Sequence, residues 1–182
     1  MNKKYDLVVF FGRFQPLHYG HIHLIEHAFR LSNNLVMLCG SAQESRTIKN
    51  PMNFNEREAM IRECVKLKPY QKLFIEPIAD TKTDEEWREI ALSVVYTITS
   101  NIKLNSDEMP KIAIVGYFKD ESSYYLNIFP EWDLVEVENY NKISATNIRR
   151  ALLDNQLSAL EELLPEPALF EIKSIMAKLT IN

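Results

Sequence analysis

At 182 residues, with 46% hydrophobic and 25% charged residues, the chain can bury one sizeable core and has ordinary globular composition. A net charge of −4 argues against a broadly basic nucleic-acid-binding face, and no apolar run approaches the roughly 20 residues of a membrane span. The first residues lead straight into a strand-like segment without a signal-peptide pattern. Two cysteines, Cys39 and Cys64, make neither a disulfide framework nor a metal set, so the expected setting is the reducing cytoplasm.

In chain order, Leu7 to Phe11 reads as a buried strand, followed by a turn and a helix from about Gly20 to Ser32 with Ile22, Ile25, Ala28 and Phe29 on one face. Leu35 to Cys39 is a second strand. Asn53 or Asn55 can cap the next helix, whose inner face is Met60, Ile61, Cys64 and Val65. Leu73 to Ile78 is a third strand. Asp84 to Ile102 is a long amphipathic helix with Trp87, Ile90, Ala91, Val94, Val95 and Ile98 at helical spacing. Ile112 to Val115 and Leu134 to Val137 are further strands, flanking a short helix from Ser122 to Phe129. From Ser144 onward the chain is helical, interrupted at Pro165 and Pro167.

Continuous apolar strands alternating with helices imply a parallel sheet covered on both faces. Right-handed crossovers then predict an α/β, Rossmann-like, doubly wound fold of five strands in the order 3-2-1-4-5, with C-terminal helices. The expected organisation is one domain over 1–182, its core about 5–140 and its helical end about 144–182. Ligands of such folds sit beyond the carboxyl ends of the strands, where the order reverses. Of only four glycines, Gly12, Gly40 and Gly116 fall at strand ends, where a sharp turn or a close ligand calls for them; Gly20 falls inside a histidine motif.

That motif, in the segment from Gly12 to His21, sets His18 and His21 three positions apart at a helix start. Free N–H groups and the helix dipole favour an anion there, and imidazoles can donate to phosphate oxygens. His23 and His27 read instead as surface or core residues. Zinc lacks neighbouring acidic or sulfur ligands, and the segment is no Walker A loop, because the glycine-lysine-serine/threonine ending is missing. Farther along, Ser144 reads as an N-cap, with Thr146 beside it and Arg149 one turn into the helix, again aiming donors at phosphate.

His18-Tyr19-Gly20-His21 resembles the HxGH signature of the nucleotidylyltransferase superfamily, and Ile143 to Arg150 is similar to its second, serine–threonine–arginine signature. The segments Gly12 to Pro16, Gly40 to Gln43 and Thr47 to Pro51, with Glu56-Arg57, resemble archaeal-type nicotinamide mononucleotide adenylyltransferases. Lys119 to Asn127 with Phe129 to Asp133 is similar to the bacterial branch often fused to a Nudix hydrolase. A Nudix box needs glycines, and none follows Gly116, so a stand-alone synthase is expected.

The resemblance implies that the 5′-phosphate of nicotinamide mononucleotide attacks the α-phosphate of ATP, giving NAD and pyrophosphate, with magnesium carried on the phosphates and no dedicated metal cage. It implies His18, His21 and Arg149 as catalytic residues. Gly12, Arg13, Phe14, Gly116, Lys119, Ile143, Ser144 and Thr146 complete the ATP site, with adenine read by backbone near Gly116 to Phe118 and Ile143. The mononucleotide falls to Phe11, Gly40, Ser41, Arg46, Lys49, Asn50, Asp80, Asp84 and Trp87: Arg46 or Lys49 on its phosphate, Trp87 stacking on the ring, Asp84 bonding the carboxamide. Relatives tend to be homo-oligomers. Three alternatives compete. A sister transferase with pantetheine phosphate, glycerol phosphate or flavin mononucleotide as acceptor would lack the Gly40 to Gln43 and Lys49 to Pro51 segments. An NAD-sensing regulator would have lost His21 or Arg149. A phosphate-binding structural subunit would keep the fold without turnover.

Overall fold

The structure is a computed structural model describing residues 3–102, 104, 109–117, 121–138, 140–156 and 160–180. Strands β1 (Leu7–Gly12), β2 (Asn34–Cys39), β3 (Lys72–Pro77), β4 (Ile112–Gly116) and β5 (Asp133–Glu136) form one parallel sheet in the predicted order β3-β2-β1-β4-β5. The order reverses at β1, and Gly12 lies in register with Cys39, so β1 and β2 end side by side.

Alternate residues of the central strands part to opposite faces, as the pleat requires. Val8, Phe10, Leu35, Met37, Cys39, Ala113 and Val115 face a core shared with α1 (Tyr19–Leu31), α2 (Phe54–Cys64), α4 (Ala145–Leu153) and α5 (Glu166–Thr180). Leu7, Val9, Phe11, Val36, Leu38, Ile112 and Ile114 face α3 (Asp84–Thr99) together with Phe129 and Trp132. Each such side chain stabilises the fold by about 1.5–3 kcal/mol when fully buried, which is why central strands without polar residues resist any other arrangement. No helix among the described residues is long and apolar enough to cross a membrane.

Several local readings change. Ile90, expected on the inner face of α3, is 40% exposed, because Ala91 and Val95 take the sheet-facing stripe. The fifth strand begins at Asp133 and leaves Leu134 half exposed, since an edge strand has only one flanking neighbour. The short helix expected after β4 is present, as a 3-10 helix over Glu121–Asn127. The C-terminal break comes at Asp154, ahead of either proline; Pro165 precedes α5, and Pro167 sits in its first turn, where a missing N–H costs little. Asn53, not Asn55, caps α2, in a reciprocal box with Glu56.

The glycines also act differently from expectation. None has a positive φ; Phe14 (50°) and Ser41 (49°), beyond the ends of β1 and β2, take the left-handed conformation instead. Gly12 supplies space: a Cβ there would lie 2.6 Å from Cζ of Phe14, whose ring folds back over it. Gly116 likewise yields to Leu126.

Candidate active site

The chain turns at the end of β1 and enters α1 with His18 as N-cap. The two histidines cap each other. The His21 N–H donates to Nδ1 of His18 (3.4 Å), and the His18 N–H donates to Nδ1 of His21 (3.2 Å). The rings stack at 3.6 Å between centroids, 20° from parallel. A nitrogen that accepts a hydrogen bond carries no proton, so a ring that is neutral in this arrangement holds its proton on Nε2. Burial first, and the neighbouring His18 second, hold the His21 pKa well below 6.5, which keeps that ring neutral. Gly20 makes the stack fit: a Cβ there would lie 3.0 Å from Nδ1 and 3.1 Å from Cε1 of His18.

Both rings line a cavity of about 200 Å³ with Phe10, Phe11, Gly12, Arg13, Phe14, Gln15, Tyr117, Tyr125, Ile143, Ser144, Ala145, Thr146 and Arg149. Among the described residues two guanidinium groups line it and no carboxylate does. Arg149, buried in α4, donates to the Gln15 carbonyl (2.7 Å) and more distantly to Thr146 Oγ1 (3.4 Å), leaving donors of its fork to spare. Burial, and then the charge of Arg13, lower its pKa; arginine remains charged all the same. Ser144 stands at the N-cap of α4 but its hydroxyl makes no capping bond. Two guanidinium groups, a pair of imidazoles and two helix starts give this cavity the chemistry that suits an anion.

A second cavity, about 690 Å³, opens on the other side of the β1 end. Phe11, Gly12, Arg13 and Tyr125 line both. Its remaining walls are Leu38, Gly40, Ser41 and Lys49 from the β2 side, and Asp80, Thr81, Lys82, Thr83, Asp84, Trp87 and Tyr124 from the β3–α3 side and the 3-10 helix. Trp87 packs against Phe11, centroids 4.9 Å apart. Thr83 caps α3 by accepting from the Glu86 N–H, and Asp84 begins that helix, where a negative charge suits the dipole. Among the described residues only the Arg13 side chain comes near the missing Cβ of Gly40, at 3.8 Å, an ordinary contact distance.

Most expected site residues therefore meet in two adjoining cavities. Arg46 does not: it forms a two-pronged ion pair with Glu56 (2.6 and 2.9 Å) beside Ile175, Lys178 and Leu179. Asn50 is buried, its amide donating to Glu44 (2.6 Å), and shapes the loop instead of lining either cavity. Gly116 ends β4 outside both linings. Lys119, like Phe118, lies outside the described residues. Tyr117, within the stretch expected to read adenine, lines the smaller cavity, and Gln15, Lys82, Tyr124 and Tyr125 line the cavities without having been assigned roles from sequence. Arg57 was also missed. Fully buried, it donates to the carbonyls of Arg13 (2.9 Å) and Gly40 (2.7 Å), binding the ends of β1 and β2 together, and Gln15 exchanges two bonds with the Met52 backbone (2.7 and 3.0 Å). An arginine within a helix pattern looks like any surface cation; only its partners reveal it.

Such a fold, with an anion site at the topological switch point, is that of a nucleotidylyltransferase, and the Cytidylyltransferase-like family model matches residues 9–151. The Nicotinamide/nicotinic acid mononucleotide adenylyltransferase of Acinetobacter baylyi is 35% identical over 172 residues, covering 94% of this chain and 87% of that protein. The Nicotinamide-nucleotide adenylyltransferase of Saccharolobus solfataricus is 32% identical, covering 89% and 88% respectively. The chain belongs to the nicotinamide-nucleotide adenylyltransferase family and is a nucleotidyltransferase. A solved bifunctional NMN adenylyltransferase/ADP ribose pyrophosphatase from Francisella tularensis, complexed with AMP and a manganese ion, superposes with a TM-score of 0.70 at 36% identity over 82% of this chain. The present chain spans 42% of that longer one.

Proposed function

We propose that this protein transfers the adenylyl group of ATP to nicotinamide mononucleotide, giving NAD and pyrophosphate. The observation that carries the reading is the meeting of the two cavities at Phe11, Gly12 and Arg13, one built for a polyanion and the other large and partly aromatic. ATP occupies the smaller cavity with its phosphates toward the histidine pair. The mononucleotide occupies the larger one, its ring against Trp87 and its phosphate toward Lys49.

An oxygen of the acceptor's phosphate attacks the α-phosphorus of ATP, and the bond from that phosphorus to the bridging oxygen of pyrophosphate breaks. No protein atom is bonded in between. The chain aligns the two phosphates and stabilises the charge that spreads as the new bond forms. Nε2–H of His18 and of His21 donate to the transferring phosphate's oxygens. Arg13 and Arg149 offset the charge on the departing pyrophosphate, Arg149 through a planar fork that fits two oxygens. Gln15, through Arg149 and Met52, and Arg57, through Arg13 and Gly40, hold the facing walls at fixed separation.

Magnesium carried on the triphosphate would supply further charge stabilisation at the phosphates. Hard cations want oxygen ligands; among the described residues the smaller cavity offers the hydroxyls of Ser144 and Thr146 and no carboxylate, so phosphate and water oxygens would supply the rest. Among the described residues there is no group of three or more histidine, cysteine, aspartate or glutamate side chains that could hold a metal ion. The proposal includes a single domain, a cytoplasmic setting, in keeping with two free cysteines, and a homo-oligomeric assembly.

The test is pyrophosphate release from ATP with magnesium and a panel of acceptors: nicotinamide and nicotinate mononucleotides, phosphopantetheine, glycerol phosphate and flavin mononucleotide. Release confined to the pyridine mononucleotides supports the proposal. Release with another acceptor alone, or none, overturns it.

A further inference from the structure

Two carboxylates stand on the rim of the larger cavity, and each is held by a neutral side chain. Asp80 exchanges bonds with Gln43: the Gln43 amide donates to Oδ2 (3.2 Å), and the Asp80 N–H donates to Oε1 of Gln43 (3.1 Å). Asp84 is held from across the cavity mouth, where the Tyr124 hydroxyl donates to Oδ1 at 2.7 Å. Tyr124 comes from the 3-10 helix and Asp84 from the start of α3, so the bond joins two separate walls. Tyr124 is 51% exposed and not packed into the core.

The two groups differ in what they can offer a ligand. An ionised carboxylate only accepts hydrogen bonds; a phenol donates or accepts. With Oδ1 engaged, Asp84 keeps Oδ2 for the N–H of a carboxamide, and its charge is partly offset by the phenol dipole. Released from Tyr124, the same carboxylate would present its full charge and both oxygens to the cavity. A neutral amide would tolerate that. A carboxylate on the ring would not, because two like charges at the cavity mouth repel, with solvent screening part of the repulsion.

We propose that Tyr124 is a specificity-determining residue, which by holding Asp84 sets how far the cavity admits an acceptor with an anionic ring substituent beside one with a neutral carboxamide. This rests on the proposed function and adds a residue and a direction to it. The bond to Asp84 raises the phenol's pKa, so the donor persists at neutral pH.

The experiment compares kcat/KM for nicotinamide and nicotinate mononucleotides, at saturating ATP and magnesium, in the wild type, Tyr124→Phe, Asp84→Asn and the double variant. Phenylalanine keeps the ring and removes only the donor. Tyr124→Phe should raise the amide-to-acid ratio by about three- to tenfold, the scale of one charge-assisted hydrogen bond reduced by solvent screening. Asp84→Asn should lower the ratio, and adding Tyr124→Phe to it should then change the ratio by no more than about twofold, the limit for independent effects. An unmoved ratio in Tyr124→Phe overturns the proposal. So does an equal shift in the Asp84→Asn background, which would mean that Tyr124 touches the ligand directly. A parallel fall for both acceptors with a lowered Tm overturns it in favour of a purely structural role. If the wild type releases no pyrophosphate with either mononucleotide, the function beneath it falls as well; activity with an unmoved ratio sinks the Tyr124 proposal alone.

Discussion

Gly20→Ala sets stability against activity in a single methyl group. Gly20 lies in the first turn of α1, with no positive φ, so alanine suits its backbone. Helix propensity alone would stabilise the variant by up to about 1 kcal/mol. The new methyl, however, would sit 3.0 Å from Nδ1 and 3.1 Å from Cε1 of His18, several tenths of an ångström inside ordinary contact. Among the described residues His18 is the only side chain within that range, since Ile143 is next at 3.8 Å, so the imidazole must yield. Its bond from the His21 N–H is already 3.4 Å long, and a small displacement removes it. The proton then loses its fixed place on Nε2. Strain from a displaced ring costs about 0.5–1.5 kcal/mol, which offsets the propensity gain and leaves Tm within about 4 °C of wild type for a chain this size. Turnover should fall by ~10–10²-fold, the cost of misplacing a reacting partner by part of an ångström to one ångström. Pyrophosphate release at saturating substrates, beside a thermal melt, measures both. Wild-type turnover at unchanged Tm would refute the idea that the ring's position carries the chemistry, and a drop of 10 °C would show that the methyl harms the fold instead.

Gly40→Ala is the complementary case: its Cβ meets only Arg13, at 3.8 Å, so stability should hold or rise by about 0.4–1 kcal/mol, while KM for the acceptor rises and KM for ATP does not. Equal effects on both KM values would place Gly40 elsewhere. Arg149→Lys should lower kcat/KM by at least tenfold in steady-state kinetics, because an ammonium cannot bond the Gln15 carbonyl and two phosphate oxygens in one plane; wild-type values would remove Arg149 from the site. His21 has a folded pKa lowered well below 6.5, so the unfolded chain takes up its proton first as pH falls. Its contribution is full above pH 6.5 and is lost progressively as acidity increases below it. Denaturant titrations of His21→Gln should show a shallower loss of stability from pH 7 to pH 5 than wild type, and an unchanged slope would contradict the burial of this ring.

The sheet was legible because unbroken apolar strands leave few alternatives, and the lining of the smaller cavity because its residues lie close together in two short segments. The larger cavity was only half legible. Trp87 and Asp84 sit on a helix whose period announces a face, whereas Tyr124 and Tyr125 ride on a short 3-10 helix with no such period. Arg46 and Asn50 share a polar loop with Lys49, and nothing in the order of residues says which points inward; Glu56 and Glu44 claim the first two. The glycines misled in a physical sense. Left-handed backbone normally calls for glycine, yet here Phe14 and Ser41 adopt it, and glycine serves to make room. The mutual capping of His18 and His21 requires atomic positions, because N-caps are usually serine, threonine, aspartate or asparagine.

Arg57 grips main-chain carbonyls and no side chain of the residues it spans. A carbonyl is the same whichever amino acid bears it. The identities of residues 13, 40 and 41 are thereby released from any duty to hold the two strand ends together, and are left to the ligand. An engineer seeking a different phosphorylated acceptor could vary positions 40 and 41, and the wall opposite, without loosening the junction, provided Arg57 stays. The same separation of duties gives evolution a fixed hinge pin with interchangeable surfaces on either side of it.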